Sequence, residues 1–304
     1  MALLISNNMS NAFLHNCPAP AKLNLFLHVT GRKPDGYHLL QSVFQLIDLC
    51  DVLHFDCRND SLIKRLTDHA LVPEEEDLVI QAAKLLQKTA CDRNGKSCPG
   101  VDIRIEKNIP IGGGLGGGSS DAATTLLVLN RLWDCHFSRE ELMALGVQLG
   151  ADVPFFIFGE NAYAEGIGEK LSPANTPAGY FVVVKPPVSV PTAKIFSAKE
   201  LTRNTEPIRI AGFPGIYKNL PDFGKNDLQP VATKLFPEIA EALDELGRHG
   251  KARMTGSGAC IFARFTNETE AREVAAYLSG KWKVWTAKGL QNHPLEVLFD
   301  RKSE

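Results

Sequence analysis

The stretch Pro-Ile-Gly-Gly-Gly-Leu-Gly-Gly-Gly-Ser-Ser at 110–120 places six glycines among the seven residues from Gly112 to Gly118 and runs directly into a helical pattern. Without Cβ atoms, such a backbone adopts positive φ and brings its N–H groups close to an anion. The helix that follows points its N-terminal dipole at the same place, so loop and helix together form a phosphate cradle. Upstream, Val101, Ile103 and Ile105 alternate with Asp102, Arg104 and Glu106, as in a half-buried strand. Downstream, Ala122, Ala123, Leu126, Leu127 and Leu132 recur at helical spacing as far as Trp133, with Ser119 or Ser120 expected as the cap. A flexible linker needs neither a strand before it nor a capped helix after it.

Other glycine loops are separated by their surroundings. A Walker loop ends in Gly-Lys-Ser/Thr, whereas Gly118 is followed by Ser119. Gly112, Gly114 and Gly117 satisfy G-x-G-x-x-G, and Asp134 falls near its acidic position. That aspartate stands between two helical patterns, however, with no second parallel strand to carry it to a ribose. The tripeptide Asp222-Phe-Gly224 has no His-Arg-Asp loop before it, which excludes a protein kinase and makes the match a chance one.

At 304 residues, 44% hydrophobic and 22% charged, the chain has the composition of a soluble protein of two domains. A net charge of −2 provides no footprint for nucleic acid or anionic membrane, and no obligate protein partner is implied. Seven cysteines without Cys-x-x-Cys spacing point to reduced thiols and a cytoplasmic setting. Residues 1–16 carry no lysine or arginine and too short an apolar run for a signal core, so they are expected to be a loose N-terminal extension.

Strands are expected near 22–29, 43–47, 52–55 and 101–105, and helices near 77–88, 119–133 and 138–149. The third helix opens on a Ser138 to Glu141 capping box and closes at Gly150. After the Pro-rich stretch at 172–179 the pattern changes. Strand 181–185, helix 231–246, strands 252–254 and 260–265, helix 268–278 and strand 283–287 give β-α-β-β-α-β, the ferredoxin-like unit. The expected division is 1–16, 17–175 and 176–304.

Three further segments carry candidate chemistry. In Pro-Ala-Lys-Leu-Asn-Leu-Phe-Leu at 20–27, period two puts Lys22, Asn24 and Phe26 on one face and Leu23, Leu25 and Leu27 on the other. Tyr37 and His38 follow a type I turn with Pro34 and Gly36 at its second and fourth positions, open between ordinary hairpin residues and a binding pair. Asp152 lies among apolar residues before Pro154, open between a turn cap and an acid paired with a lysine for proton transfer.

Taken together, these segments resemble the GHMP kinase superfamily, whose lysine-free loop Pro-x-x-x-Gly-Leu-Gly-x-Gly-Ser-Ser matches 110–120. Gly-Tyr-His at 36–38, Gly-Ala-Asp-Val-Pro-Phe at 150–155 and Met-Thr-Gly-Ser-Gly-Ala-Cys at 254–260 extend the likeness. With 20–27, they narrow it to the 4-diphosphocytidyl-2-C-methyl-D-erythritol kinases of non-mevalonate isoprenoid biosynthesis. The resemblance covers almost everything from Cys17 onward. It implies an α/β (α+β) architecture: an N-terminal ATP-binding domain with a left-handed β-α-β crossover, a C-terminal ferredoxin-like domain, and an active site in the cleft between.

It also implies roles. Lys22 and Asp152 would be the catalytic pair, with Asn24 at the same end of the substrate. Tyr37 and Phe196 would sandwich cytosine while His38 reads its edge, and Thr192 would line that pocket. Pro110, Ile111, Gly112, Gly113, Gly114, Leu115, Gly116, Gly117, Gly118, Ser119 and Ser120 would hold ATP with Mg²⁺. Gly256, Ser257 and Gly258 would close the phosphate end, with a plain hairpin turn as the alternative. Ser119 or Ser120 is the candidate Mg²⁺ ligand, and Asp121 either assists or points away. Asp77-Leu78 stands where many relatives carry Asn-Leu beside adenine, which reverses one donor. The alternatives are a related kinase for mevalonate, homoserine or a sugar, and an inactive nucleotide-binding regulator.

Overall fold

The computed structural model describes residues 3–6, 12–66, 73–95, 98–208, 220 and 223–298; Asp222 of the Asp-Phe-Gly tripeptide lies outside them. A short strand β1 (Leu4–Ser6) pairs with β2 (Phe13–Arg32), and β2 pairs antiparallel with β3 (His38–Arg58). The two long strands are joined by the expected turn, in which Gly36 N–H donates to Lys33 O at 3.0 Å. The described part of the expected loose extension is therefore sheet. Phe13 already begins β2, and Leu14 is fully buried.

Separate strands at 43–47 and 52–55 were expected, but they are parts of the single strand β3. Four register irregularities let β2 bend around the core. One of them, between Asn24 and Leu27, breaks the simple alternation read from the sequence. Phe26 packs with Leu23 and Leu25, while Leu27 joins the core of the second half.

Beyond β3 the sheet continues with β5 (Gly100–Glu106) and β4 (Ile63–Arg65), which are parallel to each other and joined through α1 (Leu78–Asn94). On the other stretch of β3, β6 (Ala162–Glu165) adds a strand and β7 (Lys170–Pro173) extends it. Helices α1, α2 (Gly117–Leu132), α3 (Arg139–Leu149) and α4 (Val153–Phe158) bury Leu86, Leu126, Leu142 and Phe155 against Leu53, Phe55 and Ile103. The α3 capping box forms as expected, with Ser138 Oγ accepting from Glu141 N–H and the Glu141 carboxylate accepting from Ser138 N–H.

The second half comprises β8 (Tyr180–Lys185), α5 (Thr192–Ser197), α6 (Gln229–Leu235), α7 (Pro237–Gly247), β9 (Arg253–Met254), β10 (Ile261–Phe265), α8 (Glu268–Leu278) and β11 (Lys283–Lys288). Its sheet order, β11-β8-β10-β9, is antiparallel throughout and is that of the ferredoxin-like unit. The one helix expected over 231–246 is two. Proline disfavours helical backbone in the residue before it, and Phe236 is extended (φ −135°, ψ 91°). All seven cysteines are free thiols, and among the described residues no helix is long and apolar enough to cross a membrane.

The halves share a core in which Leu23, Leu25, Val43 and Ile47 meet Phe181, Val183, Cys260 and Phe262. Asp227, buried from the second half, fastens β2 near its C-terminal end. Its Oδ2 accepts from Val29 N–H at 2.8 Å and from the Thr205 hydroxyl at 2.6 Å. Asp227→Ala strands that buried N–H and is expected to cost about 1–3 kcal/mol in urea unfolding. A change within error would mean the contact is replaced by water without loss.

Candidate active site

The glycine loop crosses from β5 to α2 with Gly112, Gly114 and Gly116 at φ between +66° and +75°. Gly116 is the residue before the helix, which begins at Gly117, so the expected capping by Ser119 or Ser120 is corrected: both lie within the first turn. No side chain caps α2, and an uncapped helix start of this kind suits an anion.

The loop's other side is pressed against the turn between β9 and β10. Ala259 and Cys260 N–H donate to Gly112 and Gly113 carbonyls at 3.3 and 3.1 Å. A Cβ on Gly114 would lie 2.3 Å from the Thr255 carbonyl oxygen, and one on Gly113 2.5 Å from Cys260 Sγ. Gly256, Ser257 and Gly258 thus form both the hairpin turn and a wall of the cleft.

Two cavities meet at the loop, sharing Gly112, Gly114, Gly116 and Ser119. The larger, about 740 Å³, has Lys22, Asn24 and Asp152 at one end and Tyr37, His38, Thr192 and Phe196 at the other. The second, about 400 Å³, is walled by Pro110, Ile111, Gly113, Leu115, Gly117, Gly118 and Asp121, and by Arg65, Asp77 and Leu78.

Lys22 is almost fully buried. Its Nζ donates to Asn24 Oδ1 at 2.7 Å, stands 5.1 Å from the Phe44 ring centre and lies 3.4 Å from Asp152 Oδ2. Asn24 is fixed in turn, with its amide donating to Ser42 Oγ at 2.9 Å and its N–H to Thr255 Oγ1 at 3.0 Å. Asp152 precedes α4 without capping it, and its side chain is about one-third exposed to the cavity. The ion pair, not the turn cap, is the alternative realised.

At the far end, the ring set against Phe196 is that of His38, with centroids 4.9 Å apart and planes inclined at 33°; Tyr37 stands at the rim, 61% exposed. Burial, then Arg203 and Arg32, lower the His38 pKa below the ordinary histidine value. The Thr192 and Ser257 hydroxyls are 2.8 Å apart, bridging α5 and the β9–β10 turn.

Sequence reasoning missed three groups. Arg203 donates to His38, and nothing in its neighbourhood marked it. Arg65 donates to Asp77 Oδ2 at 2.5 Å, while Asp77 Oδ1 accepts from Val79 N–H at 2.9 Å, so both oxygens of that departure from the family pattern are engaged. Lys107, under the glycine loop, bonds to both Asp51 and Asp121. Asp51 also accepts Asn108 and Ile109 N–H groups, and burial pushes the Asp121 pKa up to about 8.

Among the described residues, no three His, Cys, Asp or Glu side chains converge as a metal site. Mg²⁺ needs few protein ligands when substrate phosphates supply oxygens. Ser119, which lines both cavities, suits that role; Ser120 is fully buried and Asp121 is committed to Lys107.

Family models for the GHMP kinases N terminal domain and the GHMP kinases C terminal match residues 77–160 and 212–284. The chain is 62% identical to the 4-diphosphocytidyl-2-C-methyl-D-erythritol kinase of Janthinobacterium sp. (strain Marseille), over 94% of this chain and 98% of that one. It is 61% identical to the enzyme of that name from Herminiimonas arsenicoxydans over the same shares. The chain belongs to the 4-diphosphocytidyl-2-C-methyl-D-erythritol kinase family of GHMP kinases. A crystal structure of 4-(cytidine 5'-diphospho)-2C-methyl-D-erythritol kinase superposes with a TM-score of 0.76 at 34% identity, covering 90% of this chain and 98% of that one. A homoserine kinase from Cytophaga hutchinsonii shares the fold at 15% identity and a TM-score of 0.69, covering 95% and 98% of the two chains.

Two outcomes follow from this geometry. In Gly116→Val, Cβ falls 2.9 Å from Phe156 and 3.2 Å from Lys22 Cγ at a φ of +73°, so ATP turnover is expected to collapse. Calorimetric titration with the cytidine substrate checks this, because loss of that binding too would indicate misfolding. For Asp121, the folded pKa of about 8 lies above the ordinary 3.8, so the folded state holds the extra proton between those values. The contribution of Asp121 to stability is therefore expected to be fully present below about pH 4 and to be lost as pH rises toward 8. Asp121→Asn should flatten that slope in urea unfolding at pH 5 and pH 8, and an unchanged slope would remove Asp121 as its source.

Proposed function

We infer that this chain transfers the γ-phosphoryl group of ATP to the 2-hydroxyl of 4-diphosphocytidyl-2-C-methyl-D-erythritol, giving the 2-phosphate and ADP in non-mevalonate isoprenoid precursor biosynthesis. The observation carrying this reading is one continuous cleft, with the Lys22 and Asp152 pair at the loop end and the His38 and Phe196 rings at the other. One cavity lined by both sets suits a substrate that carries both an alcohol and a nucleobase. A mevalonate or homoserine kinase needs no such rings.

Phosphoryl transfer proceeds through a loose transition state, so positioning and charge neutralisation dominate. The loop 110–120 supplies N–H donors for the ATP phosphates, and the cavity beyond it, with Asp77 and Arg65, takes the base. Mg²⁺ bound beside Ser119 would neutralise phosphate charge. Gly256, Ser257 and Gly258 close the phosphate end.

Lys22, buried and held by Asn24, pairs with the Asp152 carboxylate and holds the hydroxyl. Asp152 takes the hydroxyl proton late in transfer. Asn24 acts on the reaction through Lys22. Tyr37, at the rim, closes over the cytosine opposite Phe196, with Thr192 on the same wall. The chain divides near residue 175, between β7 and β8, into ATP-binding and substrate halves, and the enzyme works in the cytoplasm without an obligate protein partner.

The test is ADP release with ATP, Mg²⁺ and the cytidine substrate, against mevalonate and homoserine; equal or better turnover of either competitor would overturn the assignment. Asp152→Asn should lower kcat by roughly 10²–10⁴-fold and Lys22→Ala comparably, as for general acid–base groups. The double variant should be little worse than either single one. Multiplicative single-turnover rates would mean the two residues act independently.

A further inference from the structure

Arg203, in the segment after α5, belongs to none of the sequence motifs of the site, yet it fixes the base end of the cleft. Its Nε donates to His38 Nε2 at 3.1 Å. Its terminal nitrogens donate to the carbonyls of Leu201 at 3.1 Å, Phe196 at 3.0 Å and Ala198 at 2.7 Å. One guanidinium thus holds the backbone carrying Phe196 and the imidazole against which the Phe196 ring lies.

A guanidinium offers only donors and does not deprotonate. His38 Nε2 must therefore present a lone pair, which leaves the ring neutral with its proton on Nδ1. Arg32, at the end of β2, is the second cation acting on the ring, and Asp35 and Tyr37 from the β2–β3 turn complete that part of the cavity wall.

We propose that Arg203 is a positioning residue for base recognition: it locks His38 as an Nδ1–H donor beside Phe196, so that the pocket selects cytosine over uracil. Cytosine presents an unprotonated N3 that accepts such a hydrogen bond. Uracil carries a proton at N3, which sets donor against donor and leaves both unsatisfied. The inference rests on the functional reading above for the identity of the base, but not for the state of the imidazole.

The lock is tested without substrate. Nitrogen-15 NMR of the ligand-free wild-type enzyme, with the His38 signals assigned by their loss in His38→Gln, should show the Nδ1–H tautomer. An Nε2–H tautomer would overturn the proposal outright.

In Arg203→Ala, KM for the cytidine substrate should rise about tenfold, the effect of losing the one hydrogen bond from His38 to the base, with kcat and the KM for ATP unchanged. That KM should also become pH-dependent around the ordinary histidine value of 6.5, since the freed ring can protonate. The preference over the uridine analogue should shrink. Arg203→Lys, which retains the cation but not the fork, should keep the flat pH profile with an intermediate KM. An unchanged KM in Arg203→Ala, or losses spread equally over kcat and ATP binding, would overturn the positioning role. A correct tautomer in a wild-type enzyme that does not phosphorylate the cytidine substrate would overturn base recognition alone, separating that failure from failure of the lock.

Discussion

The catalytic cleft depends on the close approach of two backbones, Gly112 to Gly114 from the first half and Thr255 to Cys260 from the second. Side chains of any size would hold these segments apart, since a Cβ on Gly114 would meet the Thr255 carbonyl oxygen at 2.3 Å. Contact this close lets the Cys260 N–H bond to Gly113 and the Thr255 hydroxyl bond to Asn24 within one compact junction. The glycines therefore do two things. On one side they line the cavity; on the other they admit the second half of the molecule to its wall. The order of the ferredoxin-like strands matters here chiefly because the β9–β10 turn falls at this junction.

From the junction, a chain of fixed groups leads to the reacting end. Thr255 holds Asn24, Asn24 holds Lys22, and Lys22 faces Asp152. An ammonium buried this deeply is stable only with acceptors and negative charge around it, and Asn24 and Asp152 supply them beside the Phe44 ring. The bend of β2 brings these groups under the loop, while Phe26 and Leu27 turn into different cores. Strand irregularity is thus part of how the site is positioned.

Much of this was legible in the sequence, for identifiable reasons. The glycine loop, the α3 capping box and the β-α-β-β-α-β order are local signals, and each of them forms. The pairing of Lys22 with Asp152 came through family resemblance, because nothing in local spacing brings residues 130 positions apart together. What escaped was of three kinds. Pro237 was overlooked within an amphipathic pattern that its two short helices share. The bulges of β2 depend on tertiary packing, and no residue pattern announced them. Arg203 and Lys107 act through hydrogen bonds across the fold, where one more charged residue on a loop or at a strand end looks like any other.

The pair Arg65 and Asp77 shows how a carboxylate is accommodated at the wall of a cavity. Compared with an asparagine, an aspartate here brings a negative charge and loses an amide donor. Here one carboxylate oxygen caps α1 through Val79 N–H, and the other is held by the Arg65 guanidinium. Helix capping by aspartate is at least as favourable as by asparagine, so α1 loses nothing by the exchange. The charge is neutralised by a group that itself lines the cavity. The ion pair therefore ties the start of α1 to the end of β4 and leaves no uncompensated carboxylate at this wall.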